Sequence, residues 1–499
     1  MNDRRPPAPS RGVEEFISRP LHRMYVGGAW TNGTTGYTID VSSPSDGSGL
    51  GAFPLAGPDD VDGAVVAARE AFDGAWRRMR PAERERHLRR FAELVEQDAD
   101  ALAEIESLDN GKPIGHTRPI DAPVAARLCF AFAGWPTKIA GETPSVSAPD
   151  LFVYTLRQPV GVVAAIIPWN YPLIHTVQKI MPALACGNTV ILKPSEKASL
   201  PSLRLAELVA AADLPAGAVN IVTGDGSTGA LLSAHPGIDK IAFTGSVAAG
   251  RAVMRAAADS VKRVSLELGN NGANIIFPDA DLAEAIPRSF GAAFGNTGQS
   301  CVAGSRLFVH EDLYERAVTE LVELAKKARI GHALDPDTQL GPIIDEKQLN
   351  TIVGFIGQGQ AEGATLRTGG SRLTEGPLAD GFYLDPTIFT DVDDAMAIAC
   401  EEIFGPVLTL HPFSSEEEVV RRANNTPYGL ASAIWTGSVS RAHRVAAQLE
   451  TGVVWVNTFD MFDASVPFGG FKSSGFGRDN GRDVIDMYTE SRAVWVSTR

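Results

Sequence analysis

Between Thr189 and Phe243 the chain alternates short apolar runs with longer helix-forming ones, and this alternation narrows its possible folds more than any other feature. The pattern predicts strand Thr189 to Lys193, helix Leu200 to Ala212, strand Val219 to Val222, helix Gly229 to His235 and strand Lys240 to Phe243. Each strand is short, apolar and joined to the next by a helix, which argues for parallel pairing with helices on both faces. A nucleotide would sit at the carboxyl ends of such strands.

A second α/β unit is predicted beyond Gly269: strand Ala273 to Phe277, helix Leu282 to Phe294 with Pro287 early in it, strand Leu307 to His310 and helix Leu313 to Ala328. Ahead of both units, Met24 to Asn32 reads as a strand pair around Gly-Gly, and a helix starts at Pro58. One longer helix is expected from Pro81, with Leu88, Phe91, Val95, Leu102 and Ile105 at helical spacing, closed by Asn110-Gly111-Lys112-Pro113. Leu151 to Leu156 reads as a strand leading through Gly161 into a second, Val162 to Ile167; Gly363 to Tyr383 reads as a loop with a surface hairpin. Val453 to Asn457 and Arg492 to Thr498 are the last strand-like runs.

A chain of 499 residues exceeds one compact core, so two or three domains are expected. With 45 basic against 60 acidic residues, the net charge of −15 repels nucleic acid and anionic membrane. The four cysteines are widely spaced with no C-x-x-C pair, so neither a metal site nor a disulfide framework is indicated and a reducing cytoplasm is expected. Residues 1–12 carry charge and proline without a following apolar stretch and read as a disordered tail, not a signal peptide. The one long apolar region, Val160 to Leu192, is interrupted by Pro168, Asn170, Pro172, His175, Lys179 and Pro182, which excludes a membrane span there.

Phe294 to Arg306, F-G-N-T-G-Q-S-C-V-A-G-S-R, sets Cys301 among small residues that would leave its thiol open to attack a substrate. Taken alone, a lone cysteine is more often a small buried hydrophobe. Two further motifs change that reading: L-E-L-G at Leu266 to Gly269 and P-W-N-Y-P at Pro168 to Pro172. With Cys301, Glu267 and Asn170 they resemble the aldehyde dehydrogenase superfamily, along essentially the whole chain.

The resemblance implies a doubly wound parallel-sheet α/β cofactor domain (1–141 and 160–268), a second α/β catalytic domain (269–470) and a small β oligomerisation element (142–159 and 485–499). A homodimer or homotetramer follows from the last. It also implies an aldehyde substrate and a covalent route. Cys301 would form a tetrahedral adduct, because a free carbonyl has no good hydride-donating state, and the Asn170 amide with the Cys301 N–H would hold the oxyanion. Glu267, at a strand end where burial would raise its pKa, would activate water against the thioester. Acyl transfer to coenzyme A and a non-catalytic relative are the competing readings.

Two glycine patterns compete for the cofactor. Gly224 to Gly229 matches G-x-G-x-x-G, yet Thr244 stands where an acidic residue is needed, so a tight turn is the simpler reading. Phe243-Thr244-Gly245-Ser246 follows a strand and opens a helix, and resembles the family's pyrophosphate site through Gly245 and Ser246. By the same resemblance Lys193 and Glu196 reach the adenosine ribose, Glu402 holds the nicotinamide ribose, Phe404 packs near the ring, and Ile167 and Trp169 add contacts. The Glu196 carboxylate would repel a 2′-phosphate, so NAD is expected over NADP. Tyr171, His175 and Gln178 would line one wall of a substrate passage, on a helix beginning at Pro172, and Met461, Phe462 and Phe468 the other. One departure stands out: Asn270-Asn271-Gly272-Ala273 replaces the commoner second glycine, lysine or asparagine, small residue and proline.

Overall fold

The computed structural model describes residues 7–499. Residues 1–6 of the expected tail lie outside this range, but its last residues are not extended: Arg11–Ile17 is a helix. Val13 and Phe16, three apart and so on one helical face, are both buried and anchor it.

The first sheet has eight strands in the order Ala29–Thr31, Met24–Val26, Val219–Ile221, Thr189–Lys193, Val162–Ile166, Lys240–Thr244, Arg263–Glu267, Gly475–Phe476. The five from Val219–Ile221 to Arg263–Glu267 pair in parallel, and their residues are almost wholly buried, as helices on both faces require. Strand order reverses between Val162–Ile166 and Lys240–Thr244, which opens a crevice at the carboxyl ends there. Register brings Ile166 beside both Lys193 and Phe243, and Thr244 beside Glu267. Residues far apart in the chain therefore meet along one edge.

A second sheet of seven strands runs Thr365–Thr368, Thr387–Thr390, Val407–Phe413, Arg306–His310, Ala273–Ile276, Ala431–Trp435, Val453–Val456, parallel except for its first member. Leu151–Pro159 and Thr489–Ser497 form a separate antiparallel ribbon that leaves Phe152, Leu156, Trp495 and Val496 exposed. The doubly wound sheet, the second α/β unit and the small β element are all present.

Three details differ from expectation. The helix from Pro81 is two, Pro81–Gln97 and Ala99–Asn110, parted at Asp98. Both Asp98 oxygens bind Arg204 at 2.7 Å, an interaction across the fold that sets the break; Gly111 then closes the second helix at φ +81°. The Gly363 to Tyr383 stretch is more than a loop: Thr365–Thr368 joins the second sheet as its edge, and only Arg372–Leu373 with Tyr383–Leu384 makes a small antiparallel pair. Helix Gly226–Ala234 begins inside the G-x-G-x-x-G stretch, capped by Asp225 on the Ser227 N–H. Among the described residues no helix is long and apolar enough to cross a membrane.

Candidate active site

Helix Leu282–Phe294 ends in a chain reversal that delivers Cys301. Asn296 and Thr297 both adopt left-handed backbone, at φ +48° and +54°, which costs non-glycine residues on the order of 1–3 kcal/mol each. Asn296 offsets this through its amide, which donates to the Asn170 carbonyl at 3.2 Å and to the Gln299 carbonyl at 3.1 Å. At Gly298 any Cβ would stand 2.1 Å from the Gly405 carbonyl oxygen, so the turn admits only glycine. Cys301 emerges half-buried against Val302, Trp455, Phe459 and Phe468. Burial pushes its thiol pKa up, and the nearby Glu402, Asp460 and Glu267 push it further, so a base must take the proton before the sulfur can attack.

Glu267 closes strand Arg263–Glu267 and is buried, with neither carboxylate oxygen hydrogen-bonded among the described residues. Burial first, then Asp479, raises its pKa well above the ordinary carboxylate value, while Lys179 and Arg478 oppose the rise. Lys179 and Asp479 are themselves a buried ion pair at 2.6 Å. A carboxyl group with its pKa so raised is a stronger proton acceptor than an ordinary carboxylate. Asn170 is buried; its amide nitrogen donates to the Gln299 carbonyl at 3.2 Å, which leaves one of its two N–H groups free.

At the neighbouring strand ends, Ser246 caps helix Val247–Ala258 by accepting the Ala249 N–H, and a Cβ on Gly245 would strike the Phe243 ring at 2.7 Å. Lys193 is buried, with its pKa lowered by burial, and its ammonium lies 3.5 Å from the Glu196 carboxylate. Ile167 is buried below Trp169, whose ring meets that of Phe404 edge-on at 5.4 Å; Phe404 itself sits at φ +55°. Glu402 is half-buried, its carboxylate accepts the Asn270 N–H at 2.8 Å, and burial pushes its pKa up to about 7. Among the described residues buried Thr244 Oγ1 and both Glu267 oxygens have no hydrogen-bond partner, and Gly269 has no Cβ to fill the space at Glu402. These unclaimed polar atoms and this cradle fit a dinucleotide lying across the crevice.

On the substrate side, Tyr171 lies between Lys112, whose ammonium is 3.7 Å from the ring centroid, and His175, edge-on at 6.3 Å. His175 and Gln178 do share the expected helix face, but they are buried and bonded to each other at 3.2 Å, and Gln178 reaches Asn480 at 3.4 Å. Burial lowers the His175 pKa to about 3, so the ring is neutral. Met461 and Phe462 are exposed, and Phe462 packs on buried Phe468 at 5.1 Å and on Trp455 at 5.9 Å. An aromatic wall thus runs from the solvent to Cys301. Trp455 and Phe459, outside the residues expected from the sequence, belong to this wall, and the aromatic run W-V-N-T-F-D-M-F that ends in Met461 and Phe462 is the local signal for them. Lys179 was treated only as an interruption of an apolar stretch, and its partner Asp479 carries no local signal.

Comparison with known proteins agrees with this geometry. A sequence model described as the aldehyde dehydrogenase family matches residues 30–494. The protein DhaS of Bacillus subtilis (strain 168) is 46 % identical over 490 residues, 98 % of each chain. An aldehyde dehydrogenase of Bacillus cereus, solved as an NAD+ complex, superposes with a TM-score of 0.97 at 42 % identity, over 99 % of this chain and 100 % of that one. The indole-3-acetaldehyde dehydrogenase AldA of P. syringae, solved with NAD+ and IAA, gives 0.94 at 41 % identity over 97 % and 99 %. The chain belongs to the aldehyde dehydrogenase family.

Proposed function

We propose that the protein oxidises an aldehyde to its carboxylic acid with NAD as hydride acceptor, through a thiohemiacetal and then a thioester on Cys301. The observation that carries this reading is a half-buried thiol close enough to the Glu267 carboxyl group for its charge to raise the thiol pKa, that carboxyl group being buried without a hydrogen-bond partner among the described residues at the crevice of a doubly wound sheet. Cys301 Sγ gives up its proton and bonds to the carbonyl carbon. The oxyanion is held by the free Asn170 N–H and the Cys301 N–H. Such a donor contributes roughly 10² to 10³ in rate. Bound at the crevice, NAD would supply the acceptor for the hydride lost from that carbon. Glu267 then takes a proton from water as its oxygen attacks the thioester; the C–S bond breaks and the acid leaves. That unpartnered base favours water over coenzyme A as acyl acceptor.

Gly245 and Ser246 would hold the pyrophosphate, Lys193 and Glu196 the adenosine ribose, and Ile167, Trp169, Glu402 and Phe404 the nicotinamide end. The Glu196 carboxylate disfavours a 2′-phosphate, which supports NAD over NADP. Tyr171, Phe462, Phe468 and Met461 form the aldehyde's approach, with His175 and Gln178 behind Tyr171. The division into 1–141 with 160–268, 269–470, and 142–159 with 485–499 is supported by the eight-stranded sheet, the seven-stranded sheet and the antiparallel ribbon, with Gly475–Phe476 reaching the first sheet from outside these ranges. The exposed apolar residues of the Leu151–Pro159 ribbon suit contact with a second copy, in a homodimer or homotetramer. Four free cysteines suit a reducing cytoplasm. The test follows NADH absorbance across aliphatic, aromatic and terpenoid aldehydes; no turnover of any of them would overturn the reading.

A further inference from the structure

Asn270 stands where the commoner family pattern has a second glycine, and with Asn271 and Gly272 it forms a clamp in this chain. Asn270 is buried, its side-chain amide donates to the Ala431 carbonyl at 3.2 Å, and its side-chain oxygen accepts the Leu430 N–H at 3.2 Å. The side chain is therefore fixed at both ends to the start of strand Ala431–Trp435. Its own backbone N–H points the other way, onto Glu402 at 2.8 Å. Asn271 extends the clamp: its amide donates to the Ala399 carbonyl at 2.8 Å, and its oxygen accepts the Ser305 hydroxyl at 3.1 Å. A Cβ at Gly272 would stand 1.9 Å from the Ala431 carbonyl oxygen, so closeness here depends on glycine. Glycine at 270 could make neither side-chain bond.

We propose that Asn270 is a positioning residue for the nicotinamide end of the cofactor, its two-point anchorage on Leu430 and Ala431 fixing the N–H that holds Glu402 in place. This rests on the reading that Glu402 binds the nicotinamide ribose. Among the described residues the Asn270 N–H is the one group in hydrogen-bond contact with the Glu402 carboxylate, which burial otherwise drives toward the neutral form. Holding that carboxylate in advance spares the cofactor the ordering cost.

The test titrates NADH and, separately, ADP against wild type, Asn270→Gly, Asn270→Ala, Glu402→Gln and the Asn270→Gly/Glu402→Gln pair, by fluorescence and calorimetry. Each Asn270 variant should bind NADH roughly tenfold more weakly, the size of one lost hydrogen bond, and ADP as wild type does. The double variant should be no weaker than Glu402→Gln alone. Wild-type NADH affinity in both Asn270 variants, an equal loss for ADP, weakening in Asn270→Gly only, or additive losses would each overturn the proposal. Unchanged NADH affinity in Glu402→Gln would instead overturn the ribose assignment beneath it. Should the Asn270 variants not fold, amide exchange at Asn270 in wild type and Glu402→Ala serves: about tenfold faster exchange in the latter is expected, and equal rates refute the anchorage.

Discussion

Replacing Glu267 by glutamine separates the two halves of the reaction. The exchange preserves shape, and since neither carboxylate oxygen bonds to protein, no protein hydrogen bond is lost. The raised pKa means that ionising Glu267 costs folding energy: its contribution is complete below the unfolded value of 4.5 and is lost as pH rises through the higher folded value. The glutamine variant should therefore be at least as stable as wild type at neutral pH. Steady turnover, by contrast, needs the base to activate water, and should fall by roughly 10² to 10⁴, or about 2.7 to 5.5 kcal/mol of barrier. Hydride loss needs only an ionised Cys301. Rapid mixing should then show a burst of NADH of undiminished amplitude, slower if Glu267 also takes the thiol proton, with an acyl adduct on Cys301 visible by intact mass. Wild-type turnover should climb with pH as Glu267 ionises, and the variant should lose that limb. Full steady-state activity in Glu267→Gln would refute the base, and a competent Cys301→Ala would refute the mechanism.

The Glu402 carboxyl, with a folded pKa of about 7 against 4.5, contributes stability below pH 4.5 that is lost by pH 7, at most about 3 kcal/mol, so Glu402→Gln should flatten the decline of Tm over that window. Lys179→Met should cost about 3 to 5 kcal/mol in urea unfolding by stranding buried Asp479, and Lys179→Met/Asp479→Leu should recover most of it; a smaller loss in the single variant would place the pair in contact with water. Glu196→Gln should raise kcat/KM with NADP relative to NAD at least about tenfold, in line with one removed like charge near the 2′ position; an unchanged ratio would move the adenosine ribose elsewhere.

The parts of the fold legible in the sequence are those whose cause is local. Residues 190–192 and 241–243 are apolar because the middle of a parallel strand buried on both faces favours apolar side chains, and at the carboxyl ends of these strands and of Arg263–Glu267 stand Lys193, Gly245 and Glu267. The break at Asp98 is set by Arg204, 106 positions on, and the Lys179–Asp479 pair spans 300, so neither leaves a periodic trace. Helical spacing predicts that His175 and Gln178 share a face, but not that they bond to each other or that Gln178 reaches Asn480, 302 positions away. Helix Ala122–Ala133 is apolar nearly all round and so shows no stripe. Asn270 is the sharpest case. As a residue type it is only a missing glycine, to be read as altered loop packing without lost activity. Its meaning comes from Leu430 and Ala431, 160 and 161 positions away, which convert an unremarkable amide into the anchor of a carboxylate that faces the cofactor crevice. Such a site is assembled by tertiary contacts between strand ends and loops, so residue identity points to the proposed nucleophile and base, while a positioning group such as Asn270 becomes visible only when the loops are in place.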